Sequence, residues 1–194
     1  FLVGGSLLDE NTVESCILRI KKKSDVPVLI FPGHTMQLSA AADGILLLSV
    51  ISGRNAELLI GRHVAGASLL QKSGIGIIPT GYILVDGGAP TSVNYMSQTF
   101  PVPRDKPAIA AMTALAGEQL GLGAIYLEAG SGAQKPVPCE MISVVRKTVG
   151  VPLFVGGGIT SRKEIDERFA AGADVVVIGN HLEKNPGDLQ RFAE

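Results

Sequence analysis

The residues best placed to do chemistry lie where three short apolar runs stop. Residues 124–128 end in the carboxylate of Glu128 and open through Ala129 into Gly130, Ser131 and Gly132. Residues 153–155 stop at Gly156, Gly157 and Gly158, and residues 175–178 stop at Gly179 and Asn180. Glycine lets backbone N–H groups approach an anion closely, and a following helix adds positive dipole. Three such endings close together predict one phosphate held by several loops, hence a phosphorylated small molecule as ligand. Two earlier runs end similarly, at Gly4, Gly5 and Ser6 and at Pro32, Gly33 and His34. A serine after two glycines is also an ordinary helix N-cap.

The elements that must position these residues alternate regularly. Strands are expected at residues 1–3, 28–31, 45–49, 75–79, 124–128, 152–155 and 175–178. Helices are expected at 11–22, 55–67, 106–120, 139–148, 162–171 and 183–192. In the first helix Val13, Cys16, Ile17 and Ile20 follow helical spacing. Thr80, Gly81 and Tyr82 close the fourth strand, and residues 82–107 form a long connection that could be a lid or a strand-like excursion. The strands read as continuous apolar runs, as in a parallel sheet covered on both faces. Polar residues and glycines gather after the strands. This is the pattern of an α/β chain, a (β/α)8 barrel before a doubly wound sheet. Seven strands, with Phe1 already inside one, suggest that the barrel's first strand precedes this chain. Residues 1–194 then form a single, N-terminally incomplete domain.

Several segments together resemble one family, the geranylgeranylglyceryl phosphate synthases and their bacterial heptaprenyl relatives. They are residues 1–6, Phe31-Pro32-Gly33, residues 79–84, Tyr126 to Gly132, residues 155–159 and Gly179-Asn180. The resemblance implies a modified (β/α)8 TIM-type barrel that joins a polyprenyl diphosphate to sn-glycerol 1-phosphate with Mg²⁺, forming an ether-lipid precursor. By the same resemblance Tyr126, Leu127, Glu128, Ala129, Gly130, Ser131, Gly132, Gly157, Gly158, Gly179 and Asn180 bind the glycerol phosphate. Ser6 helps hold Mg²⁺ near the diphosphate. The family also carries a lysine and a metal-binding aspartate on its first strand, which nothing in this chain matches.

Prenyl transfer needs a neutralised leaving group, a placed hydroxyl and an apolar wall. Glu128 could accept the glycerol hydroxyl's proton as general base, or be an ordinary ion-pair partner or cap. Tyr126 could bond the same ligand or fill the barrel interior. Ile83, Leu84, Val85 and residues 108–111 are candidates for the wall, or for ordinary core. His34, His63 and His181 have no metal-ligand spacing, and Cys16 and Cys139 read as reduced thiols packed on helices. Lys21, Lys22 and Lys23 read as a solvated helix end.

With 24 glycines in 194 residues, against a typical ~7%, the excess marks many strand-to-helix turns. A net charge of −1 without a basic stripe argues against nucleic acid. No apolar run is long enough to span a membrane, so at most peripheral contact with a lipid surface is expected. A cytoplasmic homo-oligomer is expected. The competing readings are a phosphate-binding barrel isomerase or lyase and a non-catalytic phosphate-ligand binder. No strand ends in lysine, which counts against a Schiff-base aldolase.

Overall fold

A computed structural model of the chain describes residues 1–5, 10–34 and 37–193. Ser6 lies outside the described residues. The chain divides into two compact units, Phe1–Ser49 with Ala56–Thr80 and Val50–Asn55 with Gly81–Glu194.

In the first unit β1 (Leu2–Val3), β2 (Leu29–Ile30) and β3 (Gly44–Val50) pair in parallel, with Leu2 beside Leu29 and Ile30 beside Ile45. Helix α1 (Glu10–Lys21) turns Val13 and Ile17 into the core with Val28 and Ile30. Cys16 is exposed, contrary to the expected packing. It lies about 100° around the helix from Ile17, away from the buried stripe. A π-helical turn, Glu57–Gly61, leads into α2 (Arg62–Ser73), which ends at left-handed Gly74. The helix outlasts the expected 55–67, running on to Gly74. Gln37 is buried; its Oε1 accepts from Gly33 N at 2.9 Å and its Nε2 donates to Gly5 O at 2.7 Å. The exits of β1 and β2 are thereby tied to one side chain.

β4 (Gly76–Leu84) begins in the first unit and ends in the second. It runs straight through Thr80, Gly81 and Tyr82 instead of closing there. Gly81 is small for packing, not for a turn. A Cβ on it would stand 2.8 Å from Ile51, 2.9 Å from Ile125 and 3.1 Å from Leu122. The long connection then holds α3 (Ser92–Ser97) and a parallel bridge between Val85 and Val102.

The second unit continues with α4 (Pro107–Gln119), β5 (Ala124–Glu128), α5 (Cys139–Thr148), β6 (Leu153–Gly156), α6 (Arg162–Ala171) and β7 (Val175–Val177). Ser161 and Glu164 form a reciprocal capping box that starts α6. Then come α7 (Asn180–Lys184), a 3₁₀ turn (Pro186–Asp188) and α8 (Leu189–Ala193). The single helix expected over 183–192 is broken at Pro186, which cannot donate to a continuing helix. β5, β6 and β7 are parallel, with Glu128 level with Gly156 and Gly156 level with Val177. This register brings the three glycine-rich exits to the same end of the sheet. The core contains Ile83, Val85, Ala110, Ala111, Ile125, Leu127, Val145 and Val155. Ile83, Leu84, Val85, Ala110 and Ala111, candidates for a prenyl wall, are almost wholly inaccessible. Of that candidate wall, Ala108 and Ile109 are exposed.

Candidate functional site

Alternation along β5 decides what each residue of this strand can do. Leu127 and Ala129 turn into the hydrophobic core, so their side chains are structural. Tyr126 and Glu128 turn to the other face. Glu128 is 6% exposed, and among the described residues no cationic group pairs with it. Its Oε1 accepts from Gly130 N at 2.7 Å, and its carboxylate accepts from the Tyr126 hydroxyl. Burial pushes its pKa from 4.5 to about 7, against the pull of those two hydrogen bonds. A carboxyl poised there exchanges a proton near neutrality, as a general base must.

Aromatic rings build the wall beside it. Tyr126 stacks on Tyr82 at 5.6 Å between centroids and on Phe154 at 5.9 Å. Burial first, then the Glu128 charge, holds both tyrosine hydroxyls well above their ordinary range. They therefore stay protonated and available as donors. The sequence reading missed Tyr82 as a member of this site, because Thr80-Gly81-Tyr82 resembled a strand stop. It also missed Gly156. A Cβ there would stand 2.8 Å from Glu128 Oε2 and closer still to the Tyr126 hydroxyl. A run of three glycines could have suggested that a large side chain presses on the first.

The loops converge on the same corner. Gly157 has φ +86°, and a Cβ on it would press on Glu128 Oε1 and stand 2.7 Å from Gly130 N. Gly158, at φ +71°, would place one 3.0 Å from Ala133 O. Gly130, at φ +101°, has Thr91 of the α3 N-cap over its Cα. Ser131 Oγ donates to Asn180 Oδ1 at 2.5 Å, which joins the β5 and β7 exits. Among the described residues no protein acceptor meets the backbone N–H groups of Ser131, Gly132, Gly157 or Gly158. Such groups need water or a ligand, and an anion suits several at once. The expected site residues of β5, β6 and β7 are thus brought together in one unit.

Other candidates fall elsewhere. His63 Nε2 bonds Leu48 O at 2.9 Å, and His181 Nε2 bonds Asp188 Oδ2 at 2.7 Å. Lys21, at the expected solvated helix end, bonds Asp43 at 2.6 Å. Among the described residues no three His, Cys, Asp or Glu side chains gather to hold a metal ion.

Phosphate held by late βα loops is a habit of (β/α)8 barrels, and the comparisons agree with that class. A crystal structure of (S)-3-O-geranylgeranylglyceryl phosphate synthase from Thermoplasma acidophilum in complex with substrate sn-glycerol-1-phosphate superposes with a TM-score of 0.89. It is 33% identical, over 94% of this chain and 74% of that one. The fold is the modified (β/α)8 TIM-type barrel expected from the sequence. The chain belongs to the PcrB family, which matches residues 1–194. It is 54% identical to a geranylgeranylglyceryl phosphate synthase of Spirosoma linguale, over 100% of this chain and 78% of that one. A protein of the same name from Korarchaeum cryptofilum is 40% identical, over 99% and 79%.

Proposed function

We propose that this chain is a prenyltransferase that joins a polyprenyl diphosphate, geranylgeranyl by preference, to sn-glycerol 1-phosphate, giving an ether-lipid precursor. The observation that carries this reading is the buried Glu128 at the mouth of three glycine exits. One small ligand can place its phosphate on the open N–H groups of Ser131, Gly132, Gly157 and Gly158 and a hydroxyl against the carboxylate. The likeness to a synthase crystallised with sn-glycerol-1-phosphate supports that ligand.

The chain's own residues would act as follows. Ser131, Gly132, Gly157, Gly158, Gly179 and Asn180 hold the phosphate, while Gly130 spends its N–H on Glu128. Glu128, fixed by Gly130 N and the Tyr126 hydroxyl, accepts the proton of the attacking glycerol hydroxyl as its oxygen bonds the allylic carbon. The carbon–oxygen bond to the diphosphate breaks, and diphosphate leaves with the bonding electron pair. The Tyr82, Tyr126 and Phe154 rings limit water around the carboxylate and keep its basicity high.

Mg²⁺ is part of the proposal: Ser6 would help hold it, and when bound it would supply positive charge to the departing diphosphate. Mg²⁺ commonly binds through one or two carboxylates, waters and the substrate's own phosphates, so a preformed protein cage is not required. A cytoplasmic homo-oligomer completes the proposal. Among the described residues no helix is long and apolar enough to cross a membrane.

Incubation with geranylgeranyl diphosphate, sn-glycerol 1-phosphate and Mg²⁺, followed by mass spectrometry of the lipid extract, tests the reading. The ether-linked adduct is expected. Free geranylgeraniol alone, or unchanged substrates, would refute transfer.

A further inference from the structure

The β5–α5 loop must hold its shape for the phosphate amides to stay aimed. Lys135 sits in the far limb of that loop. Its N–H donates to Gly87 O at 3.0 Å. Its carbonyl carbon would stand 3.2 Å from a Cβ on Gly158, so the peptide of Lys135 is the surface on which the β6 exit rests. Gly87 in turn packs against Ala133, with a hypothetical Cβ 2.7 Å away. The Lys135–Gly87 hydrogen bond ties the two segments directly, and no side chain at Gly158 or Gly87 keeps the backbones apart.

One side chain fastens this assembly. Arg104 Nη1 donates to Asp86 O at 2.9 Å and to Lys135 O at 3.3 Å. Asp86 follows β4, and its N–H donates to Val102 O at 2.9 Å. Arg104 itself comes two residues after Val102, so the guanidinium closes a ring through the β4 exit, the bridging segment and the phosphate loop. Among the described residues Arg104 pairs with no carboxylate. A half-buried guanidinium spent on two carbonyls is a brace, since an exposed arginine would gain as much from water.

We propose that Arg104 is a positioning residue for sn-glycerol 1-phosphate. It acts through Lys135, holding the backbone that aligns Gly158 with Gly130, Ser131 and Gly132. The inference rests on the assignment of those loops to the glycerol phosphate. Its removal loosens the phosphate amides and leaves Glu128, fixed separately by Gly130 and Tyr126, in place.

The test titrates the wild type, Arg104→Ala and Arg104→Lys with sn-glycerol 1-phosphate by calorimetry and varies each substrate in steady-state kinetics. Hydrogen bonds from a charged group justify an expected rise of about tenfold or more in Kd and KM for sn-glycerol 1-phosphate in Arg104→Ala. KM for geranylgeranyl diphosphate stays unchanged. Arg104→Lys recovers part of the loss, because an ammonium cannot reproduce the planar fork. Arg104→Met, which keeps the apolar stem, replaces Arg104→Ala if the latter does not fold. Unchanged affinity for sn-glycerol 1-phosphate overturns the proposal, as does an equal rise in both KM values or a lowered Tm with normal affinity. If the wild type binds sn-glycerol 1-phosphate but forms no ether, the transfer reading fails and the titration still decides Arg104. If the wild type does not bind it, both fall.

Discussion

Glu128→Gln separates a catalytic carboxyl from a structural one, because the two roles give opposite signs in stability. The amide keeps the size of the side chain and an acceptor for Gly130 N, and it can still meet the Tyr126 hydroxyl. It removes the charge. Burial raises the Glu128 pKa from 4.5 to about 7, so the folded protein holds this proton more tightly than the unfolded chain does. Stability from this group is therefore complete below about pH 4.5 and lost as pH rises through 7. At about 1.4 kcal/mol per pH unit of difference, keeping the carboxylate ionised and buried at pH 8 costs the fold about 3 kcal/mol. Glu128→Gln does not bear that cost. Its Tm should match the wild type near pH 4.5 and exceed it at pH 8 by roughly 6–12 °C, taking 2–4 °C per kcal/mol for a chain of this size. Turnover should fall by about 10²–10⁴, the usual worth of a general base. The wild-type kcat/KM should rise with pH through about 7. Calorimetric melting at both pH values, with initial rates on the same preparations, decides the matter. Near-normal turnover would remove Glu128 from the mechanism. A Tm lowered equally at both pH values would make it a structural cap.

Neighbouring glycines should fail in different ways. Gly157→Ala must displace the carboxylate and Gly130 N, so kcat should drop more than binding. Gly158→Ala meets the backbone of Ala133 and Lys135 and takes on left-handed strain of about 1–2 kcal/mol. Calorimetry should find weaker binding of sn-glycerol 1-phosphate there, with a larger share of kcat retained. Unchanged affinity would place the phosphate elsewhere. Chelation with EDTA should abolish transfer and leave calorimetric affinity for sn-glycerol 1-phosphate intact, and transfer that persists in EDTA would contradict a role for Mg²⁺.

Much of this fold is legible in the sequence, for definite reasons. Parallel buried strands are continuous β-branched runs, so all seven were found. β5 ended where Glu128 meets its glycines, because a carboxylate next to Gly130 has few other places to be. What escaped is what depends on neighbours. Gly81 looked like a stop, yet it is small because Ile51, Ile125 and Leu122 press on it. Cys16 fitted helical spacing and still faced solvent, since the buried stripe is narrowed to Val13 and Ile17. Ile83, Val85, Ala110 and Ala111, which the sequence leaves open between wall and core, are core, since apolar composition alone does not distinguish a groove from an interior. Leu127 and Ala129 lie within the candidate motif with their side chains on the core face of the strand. Tyr82, Gly156 and Arg104 reach the candidate site through contacts between segments far apart in sequence, which no local pattern carries.

The central claim is that one corner binds glycerol phosphate at both ends, by the glycine exits and by Glu128, and prenylates the hydroxyl presented there. The most direct measurement compares transfer from geranylgeranyl diphosphate to radiolabelled sn-glycerol 1-phosphate and to its 3-phosphate enantiomer, under the same conditions. With both ends held, the enantiomers differ in where the C2 hydroxyl points, and the closed wall beside Glu128 is the third contact that sorts them. The account predicts abundant labelled ether from the 1-phosphate and far less from the 3-phosphate. Equal rates with both, or no labelled ether from either, would contradict it.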